Sequence, residues 1–273
     1  MKTKLLVPLL GLLLFTGCSE DEVPEVQPEP EPQNFCYLQQ LSTTTADGKS
    51  DSTVSFTYND QNQVTCTEHY VKDKLVAART YAYNTDGKLQ VEHLMQPNGE
   101  EVEYTVFSYS TKGQLSKYEV KRNVFGIVHN TAAFKAAYDQ QGRLTTATDY
   151  YYLNNKQQTN STLSQTYTQG KPVVATLKGR EGQTLYRATF VQDSSRTPLS
   201  AVPVFLNKRP GMGYPNLRNI TSLRVTAGTD TVVARNLSYT GSYLKNVQGY
   251  PTETTLKYLD GRQVKVTYTY SCD

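Results

Sequence analysis

The side chains with the richest chemistry in this 273-residue chain are three histidines, His69, His93 and His129. Imidazole titrates near neutral pH and ligates zinc, so a histidine cluster would bring proton transfer or a metal. His69 follows Tyr58 by eleven positions and His93 follows Tyr83 by ten; each comes directly after a glutamate, Glu68 or Glu92. Such similar placement lets the two rings approach across strands, with a glutamate as third ligand. The spacing matches no zinc motif, however, and surface or cross-strand packing accounts for all three rings without a metal. Glycoside hydrolysis needs two carboxylates at a set separation. Glu101, Glu103, Asp149 and Glu181 are candidates, and each reads equally well as a solvent-facing strand residue. No serine stands in a Gly-x-Ser-x-Gly elbow, and Gly211-Met212-Gly213 lacks the third glycine of a dinucleotide loop. The turns of "YNTDG" and "YDQQG" offer one acid each, where calcium gathers several. No cofactor, metal or catalytic residue is predicted.

Cysteine is the remaining reactive side chain, at positions 18, 36, 66 and 272. Cys36 opens the body of the chain and Cys272 nearly closes it, so a bridge between them would pin both ends in an oxidising compartment. The odd number left after Cys18 requires one free thiol, and buried free cysteines are common. Both outcomes stay open for Cys36, Cys66 and Cys272.

Cys18 ends a segment with its own logic. Lys2 and Lys4 precede an apolar run from Leu5 to Phe15, which has signal-peptide length and is too short to cross a membrane as a helix. Phe15-Thr16-Gly17-Cys18 resembles a bacterial lipoprotein box, which implies cleavage after residue 17 and lipidation of Cys18. An ordinary secretory signal is the alternative. Residues 18–34 then form a tether. Glu20, Asp21 and Glu22 are followed by Pro24, Pro28, Pro30 and Pro32 set among glutamates. Proline at this density favours extended polyproline geometry, and like charges extend it further, to about 45 Å. The acidic cluster after the cysteine resembles the surface-export signal of Bacteroidota lipoproteins. It implies an outer-membrane lipoprotein at the cell surface; a periplasm-facing one is the rival. From Asn34 onward 26 basic residues face 19 acidic ones, scattered without a basic run, which argues against nucleic acid.

The elements that must position these groups read as strands. Residues 35–273 are rich in Thr, Val, Gln and Tyr, with 21 tyrosines in the chain and no sustained helical spacing. "TVSFTY" alternates Val54, Phe56 and Tyr58, and "LVAARTYAY" alternates Leu75 to Tyr83. In "EVEYTVFSY" the apolar series Val102, Tyr104, Val106 slips by one to Phe107 and Tyr109, which predicts a bulge or a change of face. Asn98-Gly99 is a strong hairpin turn.

A repeat organises these strands. Phe56-x-Tyr58-Asn59-x-x-Asn62-Gln63-Val64 is followed by Tyr81-x-Tyr83-Asn84-x-x-Gly87-Lys88-Leu89. Then come Phe107-x-Tyr109-Ser110-x-x-Gly113-Gln114-Leu115 and Ala136-x-Tyr138-Asp139-x-x-Gly142-Arg143-Leu144, with Tyr167 continuing the series. A spacing of 25 to 29 residues fits two strands and two turns. Asn, Asp or Ser after the tyrosine starts a turn and Gly or Asn closes it. "YDQQGRL" matches the core of the YD repeat of Rhs-type proteins, and the set resembles the YD-like repeat lipoproteins of unknown function in Bacteroidota. That resemblance covers most of 50–170 and 237–273 and implies β-ribbon architecture; it implies no activity.

The chain is thus expected to be all-β: a curved antiparallel sheet of about ten to fifteen strands, a meander of repeated hairpins, left open or rolled into an open or partly closed barrel. Residues 35–273 form one domain, interrupted at 198–219 by an irregular Pro- and Gly-rich connection that packs across one opening. The expected function is non-catalytic binding or scaffolding in the cell envelope, with a polysaccharide or an envelope protein as partner. One alternative is a glycan- or peptide-processing enzyme, and another a periplasmic accessory that shelters an apolar ligand. Tyrosine faces such as "DYYYLNN" can stack on sugars, although Trp is absent. Asp51-Ser52-Thr53 and Asp230-Thr231-Val232 resemble the Bacteroidota O-glycosylation motif, which would place sugars on Ser52 and Thr231.

Overall fold

The computed structural model describes residues 35–45, 51–202, 218–227 and 231–272. Cys18, the signal peptide at 1–17 and the tether at 18–34 lie outside the described residues. Asn34 to Asp273 form one compact unit.

Sixteen antiparallel strands follow one another as a meander. The first eight are β1 (Cys36–Thr45), β2 (Asp51–Tyr58), β3 (Val64–Val71), β4 (Lys74–Tyr83), β5 (Leu89–Met95), β6 (Glu101–Tyr109), β7 (Leu115–Val124) and β8 (Ile127–Tyr138). The remainder are β9 (Leu144–Leu153), β10 (Lys156–Thr168), β11 (Lys171–Gly179), β12 (Thr184–Gln192), β13 (Ile220–Ala227), β14 (Tyr239–Lys245), β15 (Pro251–Tyr258) and β16 (Gln263–Cys272). β1 pairs with β16, so the expected antiparallel meander is present and closes completely into a barrel. Closure gives every strand two neighbours.

The repeat turns work through side-chain oxygens. Asn59 Oδ1 accepts from the N–H groups of Gln61 and Gln63 at 3.0 and 2.9 Å. Asn84 Oδ1 does the same for Asp86 and Lys88, and Asp139 Oδ1 for Gln141 and Arg143. The turns close on residues with positive φ, among them Asn62 at 59° and Gly142 at 78°. After each of these turns the register shifts by one, as between Tyr58↔Val64 and Thr57↔Cys66, and between Tyr138↔Leu144 and Ala137↔Thr146. The extra residue turns its hydroxyl on the partner strand: Thr65, Ser116 and Thr145 donate to the carbonyls of Thr57, Ser108 and Ala137. The irregularity predicted inside "EVEYTVFSY" lies at Val102, which is skipped between Leu94↔Glu103 and Met95↔Glu101, and not at the step from Val106 to Phe107. Val106↔Glu119 and Phe107↔Tyr118 are consecutive pairs. Tyr104 and Val106 occupy one face while Phe107 and Tyr109 occupy the other, so both faces carry apolar residues.

Inside the barrel Phe56, Tyr81, Phe107, Tyr118 and Phe134 form an aromatic belt that continues into Leu163, Ala175, Ala188 and Phe190. Outside, β16 alternates exposed Lys265, Thr267, Thr269 and Ser271 with the less exposed Val266, Tyr268 and Tyr270. Lys117 and Lys121 flank Glu119 on the outer face of β7, and Lys265 pairs with Glu253 at 2.7 Å. Thr, Ser, Lys and Glu make up much of this outer wall.

The two rims differ. The YD turns line one rim, where β1 begins and β16 ends; Cys36 and Cys272 are cross-strand partners joined there by a disulfide. Cys66 is free and half-buried. The connection after β12 turns into this rim: Pro198–Ala201 form a 3-10 turn capped by Thr197, and Ala201 and Val202 are wholly buried. Residues 203–217, which include Val204, Phe205, Leu206, Tyr214 and the Gly211–Gly213 segment, lie outside the described residues. The opposite, distal rim mixes two-residue turns such as Lys72-Asp73 with longer ones such as Gln96–Glu100 and Gly179–Gln183. There β13 and β14 share only the pairs Ser222↔Thr240 and Leu223↔Tyr239. Helix α1 (Thr231–Leu237) fills the gap, and buried Ser238 Oγ bridges Val225 N–H and the Ala234 carbonyl.

Candidate functional site

The lumen is divided by what lines it. Toward the distal rim, a cavity of about 380 Å³ lies beneath β2 to β7. Its floor is Phe56, Tyr81, Phe107 and Tyr118, and its walls include Thr67, Arg79, Glu92, Glu103 and Thr105. Strand alternation explains the mixture: one face of β4 carries Arg79, Tyr81 and Tyr83 inward, so the aromatic layer and the charged layer are one step apart. Arg79 Nε lies 2.7 Å from Glu92 Oε1, and Arg122 Nη2 lies 3.6 Å from Glu103 Oε2. Tyr81 OH and Thr67 Oγ1 are 2.9 Å apart, and burial raises the Tyr81 pKa, so the phenol stays neutral and able to donate. Tyr118 stacks on Phe134 at 4.8 Å. Flat apolar rings below a ring of opposite charges can hold a small polar molecule that has one apolar face.

Near the YD rim a second cavity, about 280 Å³, is bounded by Tyr58, Tyr83, Tyr109, Val64, Leu89 and Val202. Here the repeat tyrosines show a role that reading the sequence did not give them. Tyr58, Tyr83 and Tyr109 donate to the carbonyls of Leu38, Val64 and Leu89 at 2.7, 2.6 and 2.8 Å. Tyr138 and Tyr167 reach Leu115 and Leu144, both at 2.9 Å. The pattern returns in Tyr243 to Ile220 and Tyr270 to Pro251, each at 2.7 Å. Each tyrosine therefore latches its repeat to the one before. Desolvation is the first cause of the raised pKa values of Tyr58, Tyr83, Tyr109, Tyr167, Tyr243 and Tyr270, which reach about 12 at Tyr83 and Tyr109. A sequence signal existed: the tyrosine follows by about twenty residues the first residue of an earlier returning strand.

Other predicted groups disperse. Thr67 lines the lumen, so His69 two positions on faces inward; Glu92 lines it too, so His93 faces out. His93 Nδ1 lies 2.5 Å from Glu101 Oε2 and its ring packs near Tyr104. His129 pairs across β7 and β8 with Arg122. The expected approach of His69 and His93 does not occur, because their offsets of eleven and ten differ by the one residue that reverses a strand face. Among the described residues no group of three His, Cys, Asp or Glu could hold a metal. Glu103 faces the lumen, Glu181 sits in the turn after β11, and Asp149 lies on β9 opposite Phe134 and Ser161. Tyr151 of "DYYYLNN" accepts from Arg180 Nη1 at 3.0 Å, whereas Tyr150 lies under Lys135. Ser52 is half-buried on β2 and Thr231 begins α1.

No protein-family model matches the sequence, and no curated protein resembles it. Solved structures do. A porin-like protein from Bacteroides uniformis aligns over 86% of this chain and 98% of its own, at 13% identity and TM-score 0.55. A porin-like protein from Bacteroides vulgatus aligns over the same shares at 10% identity and TM-score 0.51. A chain of the TcdB2–TccC3–Cdc42 complex aligns at 11% identity and TM-score 0.35, over 85% of this chain and 15% of the other. The class defined by fold and site is a closed all-β meander barrel with a chambered lumen, similar in fold to the Bacteroides porin-like proteins.

Proposed function

We propose that this chain is a lipid-anchored outer-membrane protein, displayed at the cell surface, whose barrel stands in water and binds a glycan segment without altering it. One observation carries the reading: the distal cavity sets Phe56, Tyr81 and Phe107 beneath the paired charges of Arg79, Glu92 and Glu103. Aromatic faces stack on the apolar faces of sugars, and charged side chains with fixed partners bond hydroxyls. Cys18 supplies the anchor and residues 19–34 the tether. The fold shared with porin-like proteins of Bacteroides supports an envelope address. To test it, residues 34–273 are titrated with a panel of envelope and dietary polysaccharides. We expect saturable binding that falls at least tenfold in Arg79→Met; no binding across the panel contradicts the reading.

The name of these neighbours favours a second reading, a barrel that spans the membrane. Its outer wall opposes that reading. A spanning barrel needs an apolar outer band about 25 Å tall. Here Lys117, Lys121 and Lys265 stand on the outside among threonines and serines. Each lysine would cost roughly 2–4 kcal/mol at the bilayer midplane.

A further inference from the structure

The distal cavity is open at one end and closed at the other. Its floor rings are nearly dry: Phe56, Tyr81, Phe107 and Tyr118 are at most 8% exposed, and the buried layer runs on through Phe134 to Phe190. Rings that bordered a continuous water channel would keep one face wet. Tyr118 and Phe134 stack with their centres 4.8 Å and their planes 6° apart, and Phe107 lies 5.8 Å from Tyr118. Tyr58, Tyr83 and Tyr109, two residues further along the same strands, line the second cavity instead, and the two cavities have no lining residue in common. The aromatic layer therefore separates them. On the other side, Arg79 stands two residues nearer the distal rim than Tyr81, and its side chain is 41% exposed. The mouth is there. At about 380 Å³ the cavity lies near the lower limit of the range for small-molecule pockets, with space for about one or two sugar rings. Its charges are internally balanced, Arg79 by Glu92 and Glu103 by Arg122, and no other charged side chain among the described residues lines it.

We infer that this cavity receives the uncharged end of a glycan chain and rejects internal stretches. The inference rests on the glycan-binding reading above and narrows it to one class of ligand. A chain held by an internal stretch must leave its site in two directions, which needs a groove or a lumen open at both ends. Here the aromatic layer stops the chain after about one or two rings. A chain end enters from the distal rim, lays the apolar face of its last ring on Phe56 or Phe107, and turns its hydroxyls to Arg79, Glu92 and Glu103. A carboxylate on that last ring would enter a site whose arginines are already committed, and burying a charge without a partner is costly. An ammonium group meets the same difficulty with the glutamates.

The test titrates the full chain with dextran, inulin and mannan, each intact and after partial acid hydrolysis that multiplies its chain ends about tenfold at constant mass. Polygalacturonate, hydrolysed in the same way, is the charged control. For a neutral polymer that binds, the mass concentration at half-saturation should fall about tenfold after hydrolysis. Polygalacturonate fragments should bind at least tenfold more weakly than the neutral fragments. Thr105→Trp fills the cavity from β6 and leaves all four charged residues in place; it should weaken fragment binding at least tenfold while the thermal midpoint stays that of the parent. Half-saturation that is unchanged or higher after hydrolysis overturns the inference and leaves glycan binding standing. Equal binding of polygalacturonate fragments, or full affinity in Thr105→Trp, does the same. No binding of any polymer, intact or hydrolysed, contradicts the glycan reading itself and the inference with it.

Discussion

The most informative single atoms are the phenolic oxygens of the repeat tyrosines. Tyr138 spans from its own strand to the Leu115 carbonyl, and six other tyrosines repeat the reach. Removing the hydroxyl leaves a half-buried carbonyl unanswered, so Tyr138→Phe should destabilise by about 1–2 kcal/mol in urea denaturation with no change in m-value. The same phenols set an alkaline limit. Burial raises Tyr83 and Tyr109 from 10.0 to about 12, and raises Tyr58, Tyr243 and Tyr270 as well. A folded pKa above the unfolded one gives stability that is full below pH 10 and is lost as pH rises toward the folded value. Stability should therefore fall steeply between pH 10 and 12. The tyrosinate absorbance of these residues should appear together with loss of the β-sheet circular dichroism, and tyrosinate formation at pH 10 in an intact fold contradicts this. The sequence named the tyrosines but not the latch, because a tyrosine two residues from a turn serves equally well as packing.

Turns are the element at which sequence and structure agree most closely. Asn59, Asn84 and Asp139 accept the bonds that their residue types imply, and Gly87, Gly113 and Gly142 take positive φ. A link between turns was not legible. Gln114 Nε2 donates to the Gly142 carbonyl at 2.9 Å, and the Arg143 guanidinium lies 5.1 Å over the Tyr167 ring. "YDQQGRL" thus holds its own turn and both neighbouring repeats. Gly142→Ala must keep φ near 78° and push Gln114 aside, so it should cost about 1–2 kcal/mol, while Gly126→Ala, with nothing near its Cβ, should cost only the backbone strain. Thermal melts of the two variants separate these contributions. Bulges were harder to foresee: one extra residue after each turn decides which of Glu92 and His93 faces the lumen. Periodicity alone does not locate it.

Closure is a property of the whole molecule, and here the sequence was least legible. Pairing β1 with β16 joins residues 236 positions apart, and no local propensity encodes it. The Cys36–Cys272 disulfide spans that seam. By loop entropy, a crosslink of this span stabilises by up to about 5 kcal/mol, so reduction should lower the denaturation midpoint well below that of the oxidised protein without abolishing the fold. Strand number, sixteen against an expected ten to fifteen, exceeded the estimate because the region from β11 to β14 carries the barrel without clear repeat motifs. The aromatic belt inside and the lysines and threonines outside are what the proposed water-facing barrel rests on. The most direct test is the behaviour of residues 34–273 purified without detergent, followed by addition to planar lipid bilayers. We predict a soluble, folded monomer that gives no conductance. A requirement for detergent together with stepwise conductance would contradict the account.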